Sequence, residues 1–121
     1  MHRTISITSD RDFRRIYKRG RNYAGPLVVV YAERDRARRS RLGITVTAKI
    51  GKAVVRNRIK RRIREAYRGM EDHIAPGFSL VIVARSRAKD AAYADIVNAL
   101  WHHLKRLDLI VSPQADAIIV T

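Results

Sequence analysis

Cysteine is absent from the 121 residues, which excludes disulfides and thiolate metal sites while leaving the redox compartment open. Long apolar runs are absent as well: nothing approaches the roughly 18 consecutive apolar residues of a membrane span, and the N-terminal residues carry no apolar signal-peptide core. The chain is therefore expected to be soluble and cytoplasmic, with no membrane partner. Negative charge is scarce. Only 11 Asp+Glu stand against 26 Lys+Arg, a formal net charge of +15 with a pI of about 11.3. Such a surplus calls for an anionic partner. Arginine far outnumbers lysine, and the planar guanidinium suits bidentate phosphate contact and stacking on bases, so nucleic acid leads.

Catalytic constellations are missing too. His2, His73, His102 and His103 are scattered or adjacent, and neighbouring helix positions do not face each other, so no shared acid–base or metal site follows. Asp10 and Asp12 flank a helix start, where the macrodipole favours them, and Glu71 and Asp72 fall in a loop, so no two-metal carboxylate cluster is visible. Gly20, Gly43 and Gly51 match no phosphate-cradling fingerprint. No catalytic residue, metal ligand or small-molecule substrate is assigned to the chain.

What is present is one domain over residues 1–121, with a core at about 9–107. At 46% apolar residues the chain can bury one ordinary core and not two. The tail at 108–121 ends in Ala117-Ile-Ile-Val-Thr, open to reading as an extra strand, an oligomer contact or a frayed end. Ser9, three residues before Asp12, predicts a helix cap, after which Phe13, Ile16 and Tyr17 share a face as far as Gly20. Leu27–Ala32 reads as one strand. Leu42, Ile44, Val46 and Ala48 alternate with Gly43, Thr45, Thr47 and Lys49 as a second. Between them the charge run Glu33–Arg41 is short enough for a hairpin loop, open to reading as a solvated turn or an RNA contact. After the break at Pro76-Gly77, the continuous apolar run Leu80–Ala84 predicts a doubly covered strand, and residues 89–107 a helix with Tyr93, Ile96, Leu100, Leu104 and Leu107 as its stripe. The order is α-β-β-α-β-α with room for a short strand at Asn22–Ala24: an α+β fold, a small α/β sandwich with a mixed sheet packed against helices.

The most informative element is the helix that follows Gly51, about 18 residues or roughly 27 Å long. Val55, Ile59, Ile63, Ala66, Tyr67 and Met70 fall on one arc. The far side carries Asn57, Lys60, Arg61, Arg64 and Arg68, with Arg58 and Arg62 on its shoulder and only Glu65 to offset them. Like charges at i,i+4 destabilise an isolated helix, so this face expects a polyanion. Arg56 is expected to lie in the first turn and reach sideways. Asn57 is able to bond a phosphate, a base edge or a hydrated metal ion.

Residues Gly43 to Arg68, which join a strand, a glycine-containing turn and a basic helix centred on Arg56-Asn57-Arg58, resemble the signature of the bacterial ribonuclease P protein component. The resemblance extends more loosely from Asp12 to Leu107. It departs from the family pattern at Ala48, where a lysine usually precedes the Lys49 equivalent, and in a less basic N-terminal segment. The resemblance implies a protein subunit that binds a catalytic RNA and the 5′ leader of precursor tRNA, promoting endonucleolytic removal of the leader. The chemistry would reside in the RNA, which holds the Mg2+ ions. It implies a catalytic-RNA surface of Lys49, Lys52, Arg56, Asn57, Arg58, Lys60, Arg61, Arg64 and Arg68, and a leader cleft at Phe13, Tyr17 and Tyr31. It also implies a left-handed β-α-β crossover, against the right hand seen in about 98% of such units.

Pattern alone leaves Phe13 and Tyr17 open to a core role. Tyr31 shares a strand parity with Leu27 and Val29, near a helix bearing Arg14, Arg15 and Lys18, an arrangement of rings and cations suited to single-stranded nucleic acid. Tyr67 and Trp101 read as packing residues. A ribosomal or other structural RNA-binding protein without a processing role is the alternative function, and a protein-only nuclease is a third.

Overall fold

Ser9 caps the first helix with its side chain, accepting from the Asp12 backbone N–H at 3.4 Å, and this helix, α1, runs Asp10–Arg19 with acidic residues in its first turn and basic ones in its last. The computed structural model describes residues 3–111. The five strands are β1 (Thr4–Ser6), β2 (Arg21–Ala24), β3 (Val28–Arg34), β4 (Ser40–Thr45) and β5 (Phe78–Ala84). The basic helix α2 spans Ala53–Met70 and the last helix, α3, spans Tyr93–Arg106.

The sheet order is β1-β4-β5-β3-β2, with β1, β4 and β5 parallel to one another and β3 antiparallel to both β5 and β2. The β4-α2-β5 unit is thus a crossover between adjacent parallel strands, the unit to which the resemblance assigns its unusual hand. Val28, Val30 and Ala32 of β3 join Leu42, Leu80 and Ile82 in a core closed by Ile59, Ile63 and Tyr67 of α2 and by Ile96, Leu100 and Leu104 of α3. A smaller cluster of Ile7, Ile16 and Val81, with Phe13, Tyr31 and Val83 against it, packs α1 on the sheet's other face. The sandwich is therefore lopsided. Two helices cover one face, and one ten-residue helix covers only part of the other.

Several expectations needed correction. The connection between β3 and β4 is not a hairpin loop, because β5 lies between those strands and the loop must bridge its end. Gly77, with φ +84°, sits under that bridge and accepts from the Asp35 N–H at 2.8 Å through its carbonyl, a left-handed conformation that favours glycine. β1 was not expected: three residues of an edge strand are too few to show a two-residue period. The short strand suspected at Asn22–Ala24 is real. Leu27 precedes β3 and packs against the larger core, not beside Tyr31. The last helix begins at Tyr93, four residues later than predicted. A short 3-10 turn occupies Ser86–Lys89, and the Arg62 side chain donates to the Ala91 carbonyl at 3.1 Å, which holds the lead-in non-helical. Tyr93, at the helix start, is 42% exposed and lies outside the stripe. Of the tail, Leu109 is buried and Ile110 bridges Ile74; the segment Ala117-Ile-Ile-Val-Thr lies outside the described residues.

Candidate nucleic-acid interface

The stripe on α2 is seated as its period requires from Ile59 onward: Ile59, Ile63, Ala66, Tyr67 and Met70 are buried, while Val55 in the first turn is half-buried. Its opposite side leaves Asn57, Arg58, Arg61, Arg64 and Arg68 exposed, with Lys60 half-buried. Among the described residues, no ion pair engages Arg58, Lys60, Arg61, Arg64 or Arg68. Lys49 lies in a 3-10 turn with Ala48, and Lys52 occupies the cap position of α2, both exposed at the helix's N-terminal end. Arg56 is turned aside, its Nε donating to the Gly51 carbonyl at 3.1 Å, and Arg62 is engaged by Ala91. The cationic surface is thus narrower than the sequence alone implies.

Acidic residues are concentrated elsewhere. Arg41, buried in β4, reaches Asp12 at 2.5 Å and Asp35 at 3.6 Å; Arg15 bridges Asp12 at 2.6 Å and Glu33 at 2.9 Å; Arg39 holds Asp35 at 3.1 Å. Hydrogen bonds from Arg41 and then Arg15 hold the Asp12 carboxyl below its ordinary value. Burial alone would raise Asp35, but the side-chain and backbone hydrogen bonds from Arg39 outweigh it and bring the carboxyl down. A charge network of this kind fixes α1 to the sheet and supplies no carboxylate to α2.

The sheet register explains the cleft. On the α1 face one row carries Glu33, Ser79 and Arg41; the next carries Tyr31, Val81 and Gly43; the third carries Val29, Val83 and Thr45. α1 lies over the first two rows, leaving the third, half-buried row as an open floor. The rim of the Phe13 ring abuts Gly43: a Cβ there would stand 2.6 Å from Cε1 and 2.7 Å from Cζ. Tyr17 meets Tyr31 edge-on at 5.1 Å between ring centroids, and Phe13 at 6.3 Å with the ring planes tilted by 38°. Its hydroxyl shares a hydrogen bond with Thr45 Oγ1 at 2.7 Å. The three predicted rings are therefore brought together, with Tyr17 36% exposed. Thr45 and Val83, which the sequence reading missed as cleft residues, were signalled only by strand parity. Tyr67 and Trp101 pack in or against the main core.

A small cavity lined by Phe13, Gly43, Lys60 and Arg64 joins the aromatic cleft to the cationic helix. Among the described residues there is no group of three or more His, Cys, Asp or Glu placed to hold a metal ion. His103, the one buried histidine there, is engaged by the Ala99 and Val28 carbonyls at 2.6 and 3.1 Å. No described helix is long and apolar enough to cross a membrane.

The ribonuclease P family model matches residues 1–108. The ribonuclease P protein component of Clostridioides difficile is 40% identical over 111 residues, covering 91% of this chain and 97% of the relative. The solved Staphylococcus aureus RNase P protein superposes with a TM-score of 0.80 at 40% identity, covering 87% of this chain and 96% of that one. The Thermotoga maritima RNase P protein gives 0.76 at 32% identity, over 84% and 96%.

Proposed function

The chain belongs to the bacterial ribonuclease P protein family, and from that premise we propose how its surfaces divide the work of the subunit. It is the non-catalytic protein component of the ribonucleoprotein that acts with its RNA on precursor tRNA leaders. The exposed face of α2, with Lys49, Lys52, Asn57, Arg58, Lys60, Arg61, Arg64 and Arg68, docks the catalytic RNA. Arg56 acts from the edge of that face. The cleft walled by Phe13, Tyr17 and Tyr31 receives the single-stranded 5′ leader, the rings stacking on bases and Arg14 and Lys18 attending the backbone. Magnesium is held by RNA phosphates, with which its preference for oxygen ligands agrees, and cleavage follows on the RNA. The cytoplasm, where precursor tRNA is processed, is the compartment this reading implies.

The observation that carries the reading is the contrast in charge pairing: Asp12, Glu33 and Asp35 each have an arginine partner, while the α2 cations have none among the described residues. A helix face built that way is unfavourable until a polyanion neutralises it. The test is a double dissociation. Arg58→Ala with Arg61→Ala should weaken catalytic-RNA binding while leaving the fold intact. Tyr17→Ala and Tyr31→Ala should each weaken holoenzyme binding of precursor tRNA by roughly 1–3 kcal/mol for each stacked base lost, with mature tRNA nearly unaffected. Equal losses for both tRNAs would return the tyrosines to a packing role.

A further inference from the structure

The arginine-dense loop between β3 and β4 has no part in the division of labour above. Its base is the neutral network of Arg15, Arg39 and Arg41 with Asp12, Glu33 and Asp35. The loop is pinned further by the Arg38 and Arg39 N–H groups, which donate to the Asp35 carbonyl at 2.9 Å and to its carboxylate at 2.8 Å. Above this base opens a cavity of about 530 Å³ whose lining includes Arg19, Arg34 and Arg36. Arg34 is steadied over the Phe78 ring at 5.1 Å. No ion pair among the described residues engages Arg19, Arg34 or Arg36. Arg19 at the end of α1, Arg34 at the end of β3 and Arg36 on the loop are therefore three surplus guanidinium groups around a base already held in place, which lowers the ordering cost of binding.

Position decides which anion they face. Asp12, Arg15 and Arg19 line this cavity from one flank of α1, whereas Phe13 and Tyr17 line the aromatic cleft from the other. A helix about 10 Å across separates the two, so a leader lying in the cleft does not extend into the loop. The route toward α2 is open instead. Ser6 of the edge strand β1 lines both the arginine cavity and the smaller one that holds Lys60 and Arg64, so the two groups of cations are neighbours on either side of β1.

We propose that Arg19, Arg34 and Arg36 form a second docking surface for the phosphodiester backbone of the catalytic RNA, continuous across β1 with the face of α2. The proposal rests on the reading of α2 given above. Guanidinium forks match phosphate oxygens, and each phosphate contact adds to the salt dependence of binding through counterion release.

The test uses the full-length protein with Arg19→Gln/Arg36→Gln, both exposed and outside the ion network, beside Arg58→Ala/Arg61→Ala. Each is titrated against the catalytic RNA alone over a range of monovalent salt, and each holoenzyme against precursor tRNA, with melting temperatures in parallel. Two lost phosphate contacts should reduce the slope of log affinity against log salt by about 1.4–1.8, equivalent to roughly 10- to 30-fold weaker catalytic-RNA binding near 0.15 M. Unchanged catalytic-RNA affinity and slope would overturn the proposal, and so would a loss confined to precursor tRNA. If the loop variant weakens binding while the α2 variant does not, the reading of α2 fails and the loop assignment stands. The reverse pattern leaves α2 as the interface and removes the loop. Arg36→Glu alone repeats the measurement by charge reversal should the double variant melt early.

Discussion

Adding one methyl group at Gly43 should damage the cleft from beneath. In Gly43→Ala the new Cβ would stand 2.6 and 2.7 Å from Phe13 Cε1 and Cζ, with Ile7 Cβ also close at 3.4 Å. Ordinary carbon contact begins near 3.5 Å, so the ring must retreat by about 1 Å. That retreat breaks the packing of Phe13 on the small cluster around Ile16 and Val81, an overpacking cost of about 1–3 kcal/mol. For a domain of this size that corresponds to a melting temperature lower by roughly 3–15 °C. A double-mutant cycle isolates the contact: in a Phe13→Ala background the same methyl enters vacated space, so its cost should nearly vanish and a coupling of about 1–3 kcal/mol should appear. Urea unfolding of the four proteins measures it. Costs that add to within about 0.5 kcal/mol would refute the seating of the ring on Gly43.

Removing the hub of the ion network is expected to be more severe. Arg41→Met leaves Asp12 and the buried Asp35 with one arginine partner fewer and should cost about 3 kcal/mol, the lower end for breaking a buried pair, as read by urea unfolding. Both carboxyls lie below the ordinary value of 3.8 in the folded state, so their contribution is complete above that value and is lost as pH falls through the lowered ones; acid unfolding of Arg41→Met should show a weaker pH dependence. Burial lowers His103 from its ordinary 6.5, against the opposing pull of the Ala99 and Val28 carbonyls. The unfolded state therefore binds the proton first, and stability should fall as pH drops below about 6.5, a slope that His103→Gln should remove in denaturant titrations at pH 8 and pH 5.5.

The parts of the fold with a strong period were legible in advance. The α2 stripe at Ile59, Ile63, Ala66, Tyr67 and Met70 is buried as its spacing demands, and Ser9 caps α1, because both signals are local. Sheet order is not local. Nothing in the run from Glu33 to Arg41 announces that β5 inserts between β3 and β4, and a buried Arg41 in a string of surface arginines has no pattern of its own. The cleft is intermediate. Phe13, Tyr17 and Tyr31 were named through a family resemblance, and their meeting depends on the register that places Tyr31 beside Val81 and Val81 beside Gly43. Thr45 and Val83 complete the floor through that same register, which only the assembled sheet specifies.

The most direct test of the central claim, that this chain serves the reaction by binding RNA and contributes no catalytic group, is a cleavage assay on precursor tRNA. It compares the purified protein, the catalytic RNA and the two together across a magnesium series. The account predicts no leader removal by the protein alone at any magnesium concentration, and cleavage by the complex at magnesium levels where the RNA alone is slow. Specific removal of the leader by RNA-free protein would contradict it.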